Sequence, residues 1–201
     1  AQLLERQIGE AGLREYTQII ISEADRLQSL LDRMLGPNNL PRIESVNIHD
    51  VLEHVRDLVR VEAGEALHVH QDYDPSLPDI QADRDLLLQA VLNIMRNAVQ
   101  ALEGRGEIIL RTRVRRHFNI GSKKYRLVAR IQIIDNGPGI PEELRKQIFY
   151  PMITGRSDGT GLGLSIAQAL INRHRGLIEC ESQPGKTVFT LLLPLDEKHE
   201  S

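Results

Sequence analysis

Asn93-Ile94-Met95-Arg96-Asn97-Ala98, Asp135-Asn136-Gly137-Pro138-Gly139, Gly159-Thr160-Gly161-Leu162-Gly163-Leu164 and Pro184-Gly185-Lys186-Thr187 are the segments whose order decides the fold of this 201-residue chain. The first lies in a stretch read as a helix, capped by Asp83 and running to Leu102. On such a helix Asn93, Asn97 and Gln100 fall on one stripe, at steps of four and three. An Asn amide oxygen is a hard, neutral ligand suited to Mg²⁺. The spacing alone fits ordinary exposed helix polars equally well.

Asp135 ends the apolar run Ala129-Arg130-Ile131-Gln132-Ile133-Ile134 and precedes a loop of Gly and Pro. A carboxylate there can accept a hydrogen bond from an exocyclic amine, and the glycines let a flat base approach the backbone. A simple turn aspartate is the plainer reading. Gly159-x-Gly161-x-Gly163 opens a helix, so successive N–H groups free of side chains make an anion site suited to a triphosphate. The spacing is not a dinucleotide fingerprint, and a polar stretch precedes it rather than a buried strand. Gly185-Lys186-Thr187 is not a P-loop, because Cys180 occupies the place of its first glycine. Arg156 can reach a γ-phosphate as a charge-assisted donor or stand solvated.

Working outward, residues 13–35 place Leu13, Tyr16, Ile20, Ala24, Leu27, Leu31 and Met34 at steps of three and four. That is a heptad seam on a long helix, ended by Gly36-Pro37. Residues 1–36 therefore read as a partial helical hairpin, half of a dimeric four-helix bundle, unless the helix packs on its own domain. Residues 37–45 read as a linker, 46–195 as one mixed domain and 196–201 as a tail. In the mixed domain the pattern predicts a helix at Ile48–Val61, a strand at Leu67–Tyr73 and a turn through Asp74–Pro78. A hairpin of Gly106–Arg116 and Tyr125–Asp135 follows, then a lid-like stretch from Tyr150 to Gly161. A helix from Leu162 to His174 and strands at Leu177–Glu181 and Lys186–Leu193 close the domain. The expected architecture is a two-layer α/β sandwich, a mixed sheet with three helices on one face.

Bulk properties exclude several classes. The net charge of −3 and pI near 6.2 give no overall footprint for nucleic acid. One cysteine rules out an internal disulfide framework and suits a reducing cytosol. No apolar run is long enough to cross a bilayer, and no signal peptide opens the chain, so a cytoplasmic protein is expected. His68 and His70 share a strand face without a third metal ligand, and Cys180 reads as a bystander. The tip Phe118–Lys124 is an exposed candidate for a partner surface.

The four segments resemble the N, G1, G2 and G3 boxes of the GHKL (Bergerat) ATP-binding superfamily, over roughly residues 83–194. The resemblance implies ATP and Mg²⁺ as cofactors. It assigns the metal to Asn97, the adenine amino group to Asp135 and its supporting contact to Thr187. Gly137, Gly139 and Ile140 extend the base site, and Gly159, Thr160, Gly161, Leu162, Gly163 and Leu164 the phosphate site. Phe149-Tyr150-Pro151-Met152 resembles the F box of histidine kinases, an apolar anchor for the lid.

The superfamily divides at the helix. Its ATPase branches carry a glutamate general base one turn before the magnesium asparagine, where this chain has Asn93, which cannot take a proton. The resemblance therefore implies phosphoryl transfer by a sensor histidine kinase, with Asn93, Asn97 and Arg156 as catalytic candidates. A GHKL ATPase clamp and a non-catalytic ATP-sensing module are the alternatives. The phosphoacceptor motif His-Glu-x-x-Asn-Pro occurs nowhere in residues 1–201, so the acceptor histidine is expected outside this chain. Gln100 stands where many members carry a basic residue, for which Arg96 or Arg156 is the expected substitute.

Leu35-Gly36-Pro37, Asp72-Tyr73-Asp74-Pro75-Ser76-Leu77-Pro78 and Phe149–Arg156 narrow the resemblance to the nitrogen-regulation kinases of the NtrB type. That family implies a cytoplasmic homodimer, a response regulator of the NtrC type and the PII signal protein as partners.

Overall fold

The structure is a computed structural model that describes residues 41–64, 66–121, 123–153 and 161–195. The expected hairpin of residues 1–36 and its dimer seam lie outside these residues, as do Arg156, Gly159 and Thr160.

Helix α1, Ile48–Ala63, starts where the Asn47 side chain accepts the His49 N–H at 2.9 Å. It buries Ile48, Val51, Leu52, Val55 and Val59, one stripe at helical spacing. It runs two residues past the expected Val61 and stops at Gly64, whose φ of 79° suits glycine. Helix α2, Arg84–Ala101, is capped as expected by Asp83, whose carboxylate accepts the N–H groups of Asp85 and Leu86. Its buried face is Leu87, Ala90, Val91, Ile94, Met95 and Ala98.

Strands β2 (Leu67–Asp72), β4 (Gly106–Ile120), β5 (Lys123–Asp135), β6 (Leu177–Gln183) and β7 (Lys186–Pro194) form one sheet in the order β2-β4-β5-β7-β6. Only β2 and β4 run parallel, because the α2 crossover joins them. A separate antiparallel ribbon pairs β1, Glu44–Val46, with β3, Ile80–Ala82. Neither short strand was expected, since three residues carry no readable period, and Glu44 and Ser45 fall inside the stretch read as a linker. Two further helices follow β5: a single turn, α3 (Glu142–Arg145), and α4 (Gly163–Arg173).

One core joins α1, α2 and α4 to the sheet face carrying Ile108, Leu110, Ala129, Ile131, Ile133, Phe189, Leu191 and Leu193. This is the expected two-layer sandwich. His174 ties α4 to the start of α2. Its Nδ1–H donates to the Leu170 carbonyl at 2.8 Å, leaving Nε2 to accept the Asp83 N–H at 3.0 Å.

In the first turn of α1, His49 stacks on Tyr73 with ring centroids 4.7 Å apart and lies 2.9 Å from the Thr112 hydroxyl. Burial lowers its pKa below the ordinary 6.5, against the opposing pull of Asp50, Asp74 and Glu53. A lowered folded-state value means the unfolded chain binds the proton first as pH falls. The stability His49 contributes is therefore present above pH 6.5 and lost as pH falls through its folded value. Thermal melts from pH 7.5 to 5.5 (roughly the window set by a histidine) are expected to fall for the wild type. The fall is expected to shrink in His49→Gln, and equal slopes would assign it elsewhere.

Candidate nucleotide site

Asp135, Thr187 and Ser182 form a row across three strands, because the register pairs Asp135 with Thr187 and Thr187 with Ser182. Asp135 is 2% exposed and Thr187 4%, so both are buried polar groups at the sheet end. Asp135 Oδ1 accepts the Gly137 N–H at 3.0 Å, which turns the chain sharply after β5. Burial raises the Asp135 pKa against the opposing pull of that hydrogen bond.

Ser182 escaped the sequence reading. Its hydroxyl accepts the Ile140 N–H at 2.8 Å and lies 2.9 Å from the Thr187 hydroxyl. Its carbonyl accepts from Arg145 of α3 at 3.0 Å. The only signal in the sequence was its position, five residues before Thr187 across a Gly-containing turn. The loop after Asp135 is thus stitched to the β6–β7 turn, where the Gly185 N–H also donates to the Gly137 carbonyl at 2.9 Å. Asn136 serves the framework instead: it accepts the Glu107 N–H at 3.0 Å.

Gly139 shows why this loop needs glycine. Its φ is 86°, and a Cβ would meet the Gln183 carbonyl carbon and oxygen at 2.8 Å. Gly139→Ala is expected to cost about 2 kcal/mol or more, from the strained backbone and the clash together. A denaturant melt checks it, and a midpoint matching wild type would mean that the loop lifts off freely.

Helix α2 borders the site. A Cβ on Gly137 would lie 3.6 Å from the Ala101 Cβ, and one on Gly163 would lie 4.0 Å from the Asn93 Cβ. The loop after β5 thus touches α2 near its C-terminus, and the start of α4 touches it two turns earlier. Asn97 lies between them in sequence, one turn of α2 from each. Asn93 Nδ2 is buried without a hydrogen-bond partner. The Arg96 guanidinium holds Glu62 of α1 at 2.7 Å.

At the cleft's far side, Phe149 packs into the core and meets Phe189 edge-on at 6.4 Å, while Tyr150 and Met152 are exposed. The Met152 N–H donates to the Gly161 carbonyl at 3.0 Å, clasping the two ends of residues 153–160. Gly161, with φ of 65°, admits no Cβ: one would lie 2.6 Å from the Met152 carbonyl carbon. Its glycine is required by this clasp. Leu162 precedes α4 with no side-chain cap, and Ile140 and Leu164 pack against the core. Cys180, behind Asp135, has its thiol pushed up to about 12 by burial first and by the Asp135 charge second, so it stays protonated. Among the described residues no cluster of His, Cys, Asp and Glu can hold a metal.

A sheet-end carboxylate, an amide-bearing helix and two glycine loops around one cleft are the marks of an ATP-binding domain built on a two-layer sandwich. Residues 82–197 match the family described as Histidine kinase-, DNA gyrase B-, and HSP90-like ATPase, and the chain belongs to that family. Over 197 residues it is 51% identical to the "Sensory histidine kinase/phosphatase NtrB" of Vibrio alginolyticus, covering 97% of this chain and 56% of that protein. The chain thus spans little more than half the length of the curated relatives it matches. Among solved structures, the catalytic domain of histidine kinase ThkA superposes with a TM-score of 0.63 at 26% identity, covering 77% of this chain and 96% of that one. Full-length ShkA in complex with AMPPNP gives 0.66 at 26% identity, covering 98% and 42%.

Proposed function

We propose that this chain is the ATP-binding catalytic region of a sensor histidine kinase of nitrogen regulation. It transfers the γ-phosphoryl of Mg-ATP to a histidine outside residues 1–201, for relay to a response regulator. The observation that supports this reading is the amide pair on α2: Asn93 and Asn97 stand one turn apart on the helix that borders both glycine loops, and no carboxylate occupies the place of a water-activating base. Without that base, hydrolysis does not compete with transfer.

The residues present suit the nucleotide. Asp135 offers a buried acceptor for an exocyclic amine, with Thr187 and Ser182 beside it. The Asn93 amide N–H, buried without a partner among the described residues, can donate to a phosphate oxygen. Asn97 would hold Mg²⁺, which when bound neutralises phosphate charge. Gly137, Gly139 and Ile140 flank the base, and Gly161, Leu162, Gly163 and Leu164 with Gly159, Thr160 and Arg156 line the phosphates. Catalysis then rests on positioning and charge neutralisation. The relatives' name supports nitrogen regulation, and the AMPPNP complex of ShkA supports an adenine nucleotide. An NtrC-type response regulator, the PII signal protein and homodimerisation through residues 1–36 complete the proposal. The setting is the cytoplasm; no helix among the described residues is long and apolar enough to cross a membrane.

The test follows γ-labelled ATP with Mg²⁺, this chain and a separate fragment carrying the acceptor histidine. Acid-labile, base-stable label on the fragment is expected. Label found only as free phosphate, or left on ATP, would overturn the kinase reading.

A further inference from the structure

We propose that Ser182 is a positioning residue of the nucleotide site, whose hydroxyl orients that of Thr187 and thereby helps the site reject oxopurines. The inference rests on the ATP-site reading above and deepens it. Ser182 is half-buried at the end of β6 and stands opposite Thr187, which stands opposite Asp135 in turn. Residues directly opposite on one sheet face have Cβ atoms about 5 Å apart, so Thr187 is a close neighbour of both.

Hydrogen-bond accounting gives the direction of the Thr187 proton. A serine hydroxyl has one proton to give and two lone pairs to fill. Ser182 Oγ takes the Ile140 N–H on one lone pair, at 2.8 Å. Thr187 Oγ1, at 2.9 Å, is the acceptor that the described residues offer the Ser182 proton. The opposite assignment would send two hydrogens to Ser182 Oγ and leave its own proton without an acceptor among the described residues. With Ser182 donating, Thr187 keeps its proton. Along the row Asp135-Thr187-Ser182, the direction away from Ser182 leads to Asp135, whose Oδ1 accepts the Gly137 N–H.

That proton decides which purine fits. Adenine presents an amino donor beside a ring-nitrogen acceptor, and an oxopurine presents a carbonyl acceptor beside a ring N–H. A carboxylate does not separate the two by itself, because it accepts an N–H from either. A Thr187 proton beside Asp135 matches the adenine acceptor, directly or through one water, and opposes the oxopurine N–H. Without Ser182 the Thr187 hydroxyl turns freely and meets either edge with its proton or a lone pair. Ser182 also has a framework duty: it holds the Ile140 N–H, and its carbonyl accepts from Arg145 at 3.0 Å. Losing that duty weakens every purine alike, whereas losing the Thr187 orientation changes the ratio between purines.

Calorimetric titrations of the full chain with ADP and with inosine diphosphate measure that ratio. The wild type is expected to prefer ADP, and Ser182→Ala to lose about three- to tenfold of the preference, the range of one neutral hydrogen bond. Ser182→Thr, which keeps a hydroxyl, should restore the wild-type ratio. Thr187→Val leaves the Ile140 bond in place, so it keeps the test open if Ser182→Ala loosens the loop. It should lower the ratio as Ser182→Ala does, and the double variant should lower it no further, because the two hydroxyls act as one unit. Equal losses for both nucleotides in Ser182→Ala, additive losses in the double variant, or no restoration by threonine would each overturn the positioning role. A wild type that binds neither nucleotide would overturn the ATP-site reading and this inference with it. A wild type that prefers ADP by a ratio indifferent to Ser182 would overturn this inference alone.

Discussion

Replacing Asp135 by asparagine is expected to abolish adenine-nucleotide binding while leaving the domain folded, with affinity falling about a hundredfold or more. The magnitude follows from losing a charged acceptor in a buried site and facing the base with an amide donor, about 3 kcal/mol together. Folding should not suffer, because the amide oxygen can still accept the Gly137 N–H that Asp135 holds at 3.0 Å. The ligand-free protein is expected to show the opposite effect. Burial raises the Asp135 pKa, so the folded state binds the proton more tightly than the unfolded chain. The stability linked to this group is present below its ordinary 3.8 and lost as pH rises through the raised value. Wild type therefore carries a cost at neutral pH that the asparagine variant escapes, and its melting temperature should match or exceed that of wild type. Calorimetric titration with ADP and thermal scans at pH 7 check both halves. Unchanged affinity would remove Asp135 from base recognition, and a large drop in melting temperature would make it a framework residue.

The same residues show what a sequence can and cannot say. The α2 helix was legible because a cap, Asp83, and a helical period fixed its bounds and phase, while spacing alone could not tell its amides from ordinary exposed polars. Asp135 was legible as the end of an apolar strand. Ser182 was not, because its importance arises from cross-strand register with Thr187 and from a loop 42 positions away, neither of which leaves a local pattern. Arg96 is a related case. Its helix position was readable, but its partner Glu62 lies on another helix. Gly161 was read as a phosphate-loop glycine, yet its freedom from a Cβ is required by the Met152 clasp. Strand β4 runs four residues past the expected Arg116, to Ile120, with His117 at φ 51° and the register resuming at Phe118 opposite Tyr125. Local chemistry was visible in the residues; pairing across distance became visible only in the fold.

Asn97→Ala is expected to separate metal-dependent transfer from base recognition, and to do so with the largest effect on rate. Asn97 stands one turn from Asn93, which meets Gly163, and one turn from Ala101, which meets Gly137. In the proposed site it lies between the loop assigned to phosphates and the loop assigned to the base. Removing its amide oxygen deletes the proposed protein ligand to Mg²⁺, whose charge neutralisation is worth several kcal/mol in phosphoryl transfer. Transfer of label to the acceptor fragment should fall about 100- to 1,000-fold, each tenfold corresponding to about 1.4 kcal/mol. Folding should be preserved, since Asn97 is only partly buried and alanine is the best helix former. The decisive comparison is binding of ADP with Mg²⁺ chelated, where Asn97→Ala should equal wild type while Asp135→Asn remains defective. Equal loss with and without metal would place Asn97 among the base contacts instead. Transfer within about threefold of wild type would remove it from the reaction, since a deleted metal ligand cannot be that cheap.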